Sequence, residues 1–244
     1  MTMTREKQER LSEDIHLLGD ILGHVIRRQA GIEIYDLEER IRALTKARRL
    51  EADPAVDRRL THVVDQLDPA EAELVARSFT TYFELVNLAE EQHRVRVLRE
   101  RERDAHPQPL PESVAGAVAT LARAGVDEVE MRRLLARLRI ELVFTAHPTQ
   151  AKRRTVLAKL RRIAAALTDL DVRDLLPAER AALVERLQAE VALLWVTDRS
   201  RTTRPTVTDE VRTGLFYFDH TLWDVLPAVY EHMAAALAQH YPDL

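Results

Sequence analysis

Glycine is scarce in this chain, six residues in 244, and aromatic residues make up only 5%. Tight turns draw on glycine, and pleated surfaces draw on aromatic and β-branched side chains, so the shortage argues against a β-rich fold. The residues present in quantity are Ala, Leu, Arg and Glu, all strong helix formers. Apolar positions agree: Leu11, Ile15, Leu18, Leu22 and Val25 recur at spacings of three and four, which puts them on one face of a helix. Ser12 lies near its start as a capping hydroxyl, and Gly31 is the expected stop. A second helix follows, with Leu37, Ile41 and Leu44 turned inward and Glu38, Glu39, Arg40 and Arg42 turned outward. Asp53-Pro54 and Asp68-Pro69 each read as a break and a new helix start, because proline suits the first helical turn. Residues 69–103 read as one long helix whose second half is almost wholly charged and polar apart from valines and a leucine, with 100–104 a solvated helix end. The three prolines within 104–111 cannot continue it, and a helical pair is expected over 111–139.

At residue 140 the period changes. Residues 140–145, Ile-Glu-Leu-Val-Phe-Thr, are short, apolar and rich in β-branched and aromatic types, and they read as a buried strand ending at His147-Pro148. Thr149 is placed to cap a helix with Val156, Leu160, Ile163 and Leu167 on its apolar face. Another helix covers 177–197, a polar stretch covers 198–208, and a last helix carries Val211, Leu215, Phe218, Leu222, Val225 and Val229. Trp195 and Trp223 occupy core-like helical positions. One strand among many helices leaves backbone groups in need of partner strands, so the fold reads as incomplete. Apolar faces on 156–167 and 211–229 would then be exposed and favour association.

Bulk properties narrow the function classes. Hydrophobic residues at 46% and charged residues at 31% describe a soluble globular chain. A net charge of -4 gives no drive toward nucleic acid or an anionic membrane, and the arginines of 153–162 lack interleaved aromatics, so a nucleic-acid binder is disfavoured. Without cysteine there is no disulfide framework, thiolate nucleophile or zinc–thiolate site. The polar N-terminus lacks the apolar core of a signal peptide, no run is long enough to span a membrane, and the cytoplasm is the expected location.

The strongest candidate site is Thr145-Ala146-His147-Pro148-Thr149-Gln150 with Arg153 and Arg154 after it. A histidine where a strand meets a helix stands beside unpaired amides and a positive dipole end, and the two arginines add charge. Such a place suits phosphate or carboxylate groups, with the imidazole moving a proton near neutral pH. On residue chemistry alone, a strand-end histidine bonded to backbone and flanked by solvated arginines is the favoured reading. His93, a lone histidine on a helix, reads as a packing or hydrogen-bonding residue, and no group of residues has metal-ligand spacing of its own.

The run from Val143 to Arg154, VFTAHPTQAKRR, resembles the histidine signature of phosphoenolpyruvate carboxylases, T-A-H-P-T-[EQ]-x-x-R after a hydrophobic strand. Other blocks lie in family order. LLGDILGHVIR at 17–27 and DLEERIR at 36–42 resemble the opening helices, and FELVNLAEEQHR at 83–94 resembles the N-L-A-E-x-x-H-R helix. LWVTD at 194–198 and RPTVTDEVR at 204–212 resemble the segment after the first barrel helices. The resemblance covers nearly the whole chain. It implies a mainly α fold: a helical region over 1–139, then, over 140–244, the first strand and following helices of an incomplete, helix-rich β/α (TIM-type) barrel. It implies union of phosphoenolpyruvate and bicarbonate into oxaloacetate and phosphate, with Mg2+ or Mn2+ held by ligands outside this chain. It also implies His147 as the catalytic base, Arg153, Arg154 and Arg201 as anion-contacting positions, and a homotetramer for the full-length protein.

The chain departs from the family pattern after Trp195. The usual T-D-E-[IL]-R appears as Thr197-Asp198-Arg199-Ser200-Arg201, so an acid is replaced by Arg199 while Arg201 still matches. Arg201 reads equally as a salt-bridged loop residue. The glycine-rich G-G-D-R-D-G-N-P segment, the G-Y-S-D-S-x-K-D segment and the G-R-G-G-S-x-G-R-G-G loop are absent. By itself the chain is therefore expected to be inactive, and a non-catalytic helical module derived from the family is the competing reading.

Overall fold

The structure, a computed structural model, describes residues 2–50, 53–142, 154–172, 174–198 and 206–244. It is mainly helical, and no strand occurs among the described residues. In chain order the helices are α1 (Thr2–Gln29), α2 (Ile32–Leu50), α3 (Pro54–Asp65), α4 (Pro69–Ala105), α5 (Val114–Arg123), α6 (Glu128–Arg137), α7 (Arg154–Val172), α8 (Pro177–Trp195) and α9 (Val207–Tyr217). A π-helical turn, Phe218–Leu222, then leads into α10 (Trp223–His240).

Local chemistry explains the boundaries. Gly31 ends α1 with φ 95°, a backbone conformation that a Cβ would strain. The Asp53 carboxylate accepts from Ala55 N at 2.8 Å at the start of α3. Asp68 accepts from Ala70 N and Glu71 N at 2.8 Å, while Glu71 accepts from Asp68 N at 3.1 Å, a reciprocal cap for α4. Ser113 caps α5 by accepting from Gly116 N, and Asp127 caps α6 by accepting from Glu130 N. Thr206 and Asp209 exchange hydrogen bonds across the first turn of α9. The last helical stretch widens into the π turn shortly before Pro227, a residue that lacks an N–H and crowds the carbonyl one turn back.

The chain divides into two compact units. The described residues of Met1–Arg96 and Lys152–Arg199 form the first. Its core takes Leu18, Ile21, Leu22, Val25 and Ile26 from α1, Leu85, Leu88 and Ala89 from α4, Val156, Leu160, Ile163 and Leu167 from α7, and Leu187, Val191, Leu194 and Trp195 from α8. Each fully buried aliphatic side chain contributes about 1.5–3 kcal/mol of hydrophobic stabilisation. A smaller cluster of Ile41, Val63 and Val75 joins α2, α3 and α4. Ser78 and Thr81 are also buried, and each donates its hydroxyl to a carbonyl one turn back, at 2.9 and 2.8 Å. The apolar face of α7 is thus covered, where the sequence reading expected 156–167 to be exposed: α8 and α1 close over it.

The described residues of Val97–Ala151 and Ser200–Leu244 make the second unit. Its core is small: Val118, Met131, Ala236 and Tyr241, with the Tyr241 hydroxyl donating to Val126 O at 3.1 Å. Trp223 is 80% exposed, contrary to the core position read from its spacing, because the partly apolar helical face carrying it meets no partner surface among the described residues. Val211, Leu215, Phe218, Val225 and Val229 are exposed with it, as expected for 211–229, while Leu222 is half-buried; Val207 and Tyr230 outside that face are exposed too. Ile140, Glu141 and Leu142 have no ladder pairing, and the remainder of the expected strand, 143–145, lies outside the described residues.

Gly116 leaves no room for a side chain. A Cβ there would lie 2.1 Å from the carbonyl oxygen of Leu110, a backbone atom that cannot swing away. Gly116→Ala is expected to destabilise the chain by about 1–3 kcal/mol, read as a lower urea midpoint by circular dichroism. Gly19→Ala, with nothing within 4 Å of the new methyl group, should not lower it.

Candidate functional site

Of the four side chains singled out by sequence, the structure describes Arg154, which opens α7 and is exposed. His147, Arg153 and Arg201 lie outside the described residues, as do Thr149 and Arg199. The structure therefore shows the helix that follows the His147 run, and how that helix is held.

Apolar burial anchors α7 at Val156, Leu160, Ile163, Ala166 and Leu167. Polar contacts fix its register. The Arg162 Nε donates to Glu190 Oε1 on α8 at 2.6 Å, and the Thr168 hydroxyl donates to Gln92 Oε1 on α4 at 2.9 Å. Arg96 supplies a third tie: its Nη2 donates to Asp14 on α1 and its Nε to Asp171 on α7, both at 2.9 Å. Its side chain is only 10% exposed. Burial opposes the guanidinium charge, but the hydrogen bonds to Asp171 and Asp14 outweigh it and push its proton affinity above the usual arginine value. Sequence reasoning read this stretch of α4 as almost wholly charged and polar and did not single out Arg96. The available signal was the apolar residues Val95, Val97 and Leu98 around Arg96, which mark the stretch as less than wholly solvated.

Glu38 is a side chain that sequence reasoning misplaced. It was read as outward-facing, yet it is 6% exposed, in a groove between α1, α2 and α4. It lies beside the stripe Ile34, Leu37, Ile41, Leu44, so its flank position was the legible clue. Its pKa is raised from 4.5 to about 7, chiefly by burial and then by the adjacent Glu39 carboxylate, against a smaller opposite pull from Arg42. Arg42 is engaged elsewhere, donating from Nε and Nη2 to the two oxygens of Glu39 at 2.9 and 2.5 Å. Gly23 allows the groove to form, since a Cβ there would press on the Tyr35 ring at 3.0 Å.

Among the described residues no three His, Cys, Asp or Glu side chains converge on a point where a metal ion could sit. The described part of this chain does not fit a resident metal. Among the described residues, too, no helix is long and apolar enough to cross a membrane.

Comparison with known proteins places this geometry in context. The model of the phosphoenolpyruvate carboxylase family matches residues 11–244. A phosphoenolpyruvate carboxylase of Roseiflexus castenholzii is 43% identical over 238 residues, covering 98% of this chain and 25% of the relative. Those of Thermus thermophilus and Pseudomonas aeruginosa are each 42% identical, covering 98% and 95% of this chain and 26% of the relative. The chain thus spans about a quarter of the length of the curated relatives it matches.

Two substitutions test the buried charges. Arg96→Met would leave Asp14 and Asp171 without their shared cation, and a loss of about 2 kcal/mol is expected in urea unfolding, below the fully buried range because both acids keep some exposure. Glu38 works in the opposite direction. Its raised pKa means that the folded state holds the proton more tightly than the unfolded chain. Stability is therefore lost as pH rises from 4.5 toward 7, and the loss is complete above that. Glu38→Gln should stabilise the chain at pH 8 by up to about 3 kcal/mol and leave stability unchanged near pH 4, measured by denaturant midpoints at both values.

Proposed function

Because the chain belongs to the phosphoenolpyruvate carboxylase family, we propose that it is the N-terminal part of an enzyme joining phosphoenolpyruvate and bicarbonate into oxaloacetate and phosphate. The observation that carries the reading is the family match over residues 11–244, a span that includes the Thr145–Gln150 signature. In this reading 1–139 is the N-terminal helical region. Residues 140–145 are the first strand of a β/α barrel, with α7 to α10 after it, and His147 stands at the C-terminal strand end where barrel enzymes keep their chemistry.

Bicarbonate attacks the phosphoryl group, giving carboxyphosphate and an enolate. His147, as general base, takes the proton from carboxyphosphate as it breaks into carbon dioxide and phosphate, and the enolate carbon then attacks the carbon dioxide. Arg153, Arg154 and Arg201 hold anionic groups, Arg153 foremost. The divalent cation, magnesium or manganese, would neutralise anionic oxygens from ligands outside this chain. The full-length protein is read as a cytoplasmic homotetramer. The apolar residues exposed along α9, the π turn and α10 support a role as part of a larger assembly.

The competing reading is a non-catalytic helical module of family descent, favoured by the replacement of the family's acid by Arg199. A chimera separates the two: this chain grafted in place of the N-terminal quarter of an active relative. The chimera should form oxaloacetate, and His147→Asn should lower the rate by about a hundredfold or more without loss of helical content. Full activity of the His147→Asn chimera would remove the role given to His147, and a folded but inactive parent chimera would support the module. The 244-residue chain alone should release no phosphate from phosphoenolpyruvate with bicarbonate and magnesium.

A further inference from the structure

The groove that buries Glu38 has a volume of about 430 Å³, within the range of small-molecule sites. Its floor is made by Leu22, Ile26, Tyr82 and Glu38, the two aliphatic residues buried and the tyrosine half-buried. The charged and titratable groups facing it are His16, Asp20, His24 and Arg27 from α1, Tyr35, Glu39 and Arg42 from α2, and Tyr82 from α4. The acids are Asp20, Glu38 and Glu39, and the permanent cations are Arg27 and Arg42.

Both cations are already engaged. Arg42 is bonded to Glu39 through two nitrogens, and the Arg27 guanidinium lies 3.9 Å from the centre of the Tyr35 ring. Neither donates a hydrogen bond to Glu38 or Asp20. Counting both histidines as neutral, the walls are balanced while Glu38 keeps its proton and one positive charge short once it is ionised. A buried carboxylate in that state favours any cation that reaches it.

We propose that this groove is a binding site for a small organic monocation, an ammonium or guanidinium on a short alkyl chain, with its charged head on Glu38 and its body against Leu22, Ile26 and Tyr82. Asp20 at the rim supplies a second, weaker attraction, because it is exposed and screened. The aromatic face of Tyr82 suits the same ligand class. Binding displaces the Glu38 proton into solvent, so affinity is coupled to pH. The site lies within the first unit and does not depend on the proposed chemistry at His147.

The probes are n-butylammonium and n-butylguanidinium, with 1-butanol as the uncharged control, titrated into the 244-residue chain and followed by NMR. Saturable binding with a Kd of about 1 mM or tighter is expected for a cation at pH 8, with 1-butanol at least about tenfold weaker. With the carboxyl titrating near 7, affinity should fall about tenfold between pH 8 and pH 6. Glu38→Gln should lose about tenfold or more at pH 8 and abolish the pH dependence. Asp20→Asn should weaken binding less and keep that dependence. The unfolding midpoint of Glu38→Gln confirms that the variant is folded. Absence of saturable binding at pH 8, equal binding of 1-butanol, or unchanged cation affinity in folded Glu38→Gln would each overturn the proposal.

Discussion

Arg96 holds one guanidinium between two carboxylates that come from opposite ends of the first unit's sequence, Asp14 on α1 and Asp171 on α7. A charge at that depth is tolerated only with its hydrogen bonds made. The pairing therefore specifies more than it stabilises: it sets where α7 lies along α1 and α4. Apolar contacts supply the greater energy, since Ile163, Leu187, Val191 and Leu194 are fully buried, but aliphatic surfaces can slide by a turn at modest cost. The charged tie, with Arg162–Glu190 and Thr168–Gln92, removes that freedom.

This rigidity bears on the chemistry proposed for the His147 run. The signature is followed within a few residues by a helix whose inner face is covered on several sides, so the covalent path out of the run leads into a fixed element. The second unit has a different character. Its core rests on Val118, Met131, Ala236 and Tyr241, while a long apolar surface on α9 and α10 stays open. Relatives about four times as long fit that contrast, with a first unit built on the larger buried core and a second that offers surface.

Much of the helical plan was legible from residue order. The Asp-Pro pairs at 53–54 and 68–69, the glycine at 31 and the prolines after 104 act through local backbone geometry and capping, and the structure places helix ends beside each of them. The TAHPT run was equally legible as a family signature, though the structure describes only Arg154 among the site residues drawn from it. Glu38 and Arg96 were not legible as buried. Their helical positions sit at the flank of an apolar stripe, and whether a flank is covered depends on a neighbour distant in the chain.

The sequence by itself determined the helix-forming segments, their stops and the family, because propensity, capping and motif wording are properties of neighbouring residues. Tertiary structure decided which apolar faces were covered, α7 enclosed while α9 and α10 stayed open, and which charges lost their water. Burial and the resulting rise in the Glu38 pKa depend on how α1, α2 and α4 meet in space, which no local pattern encodes.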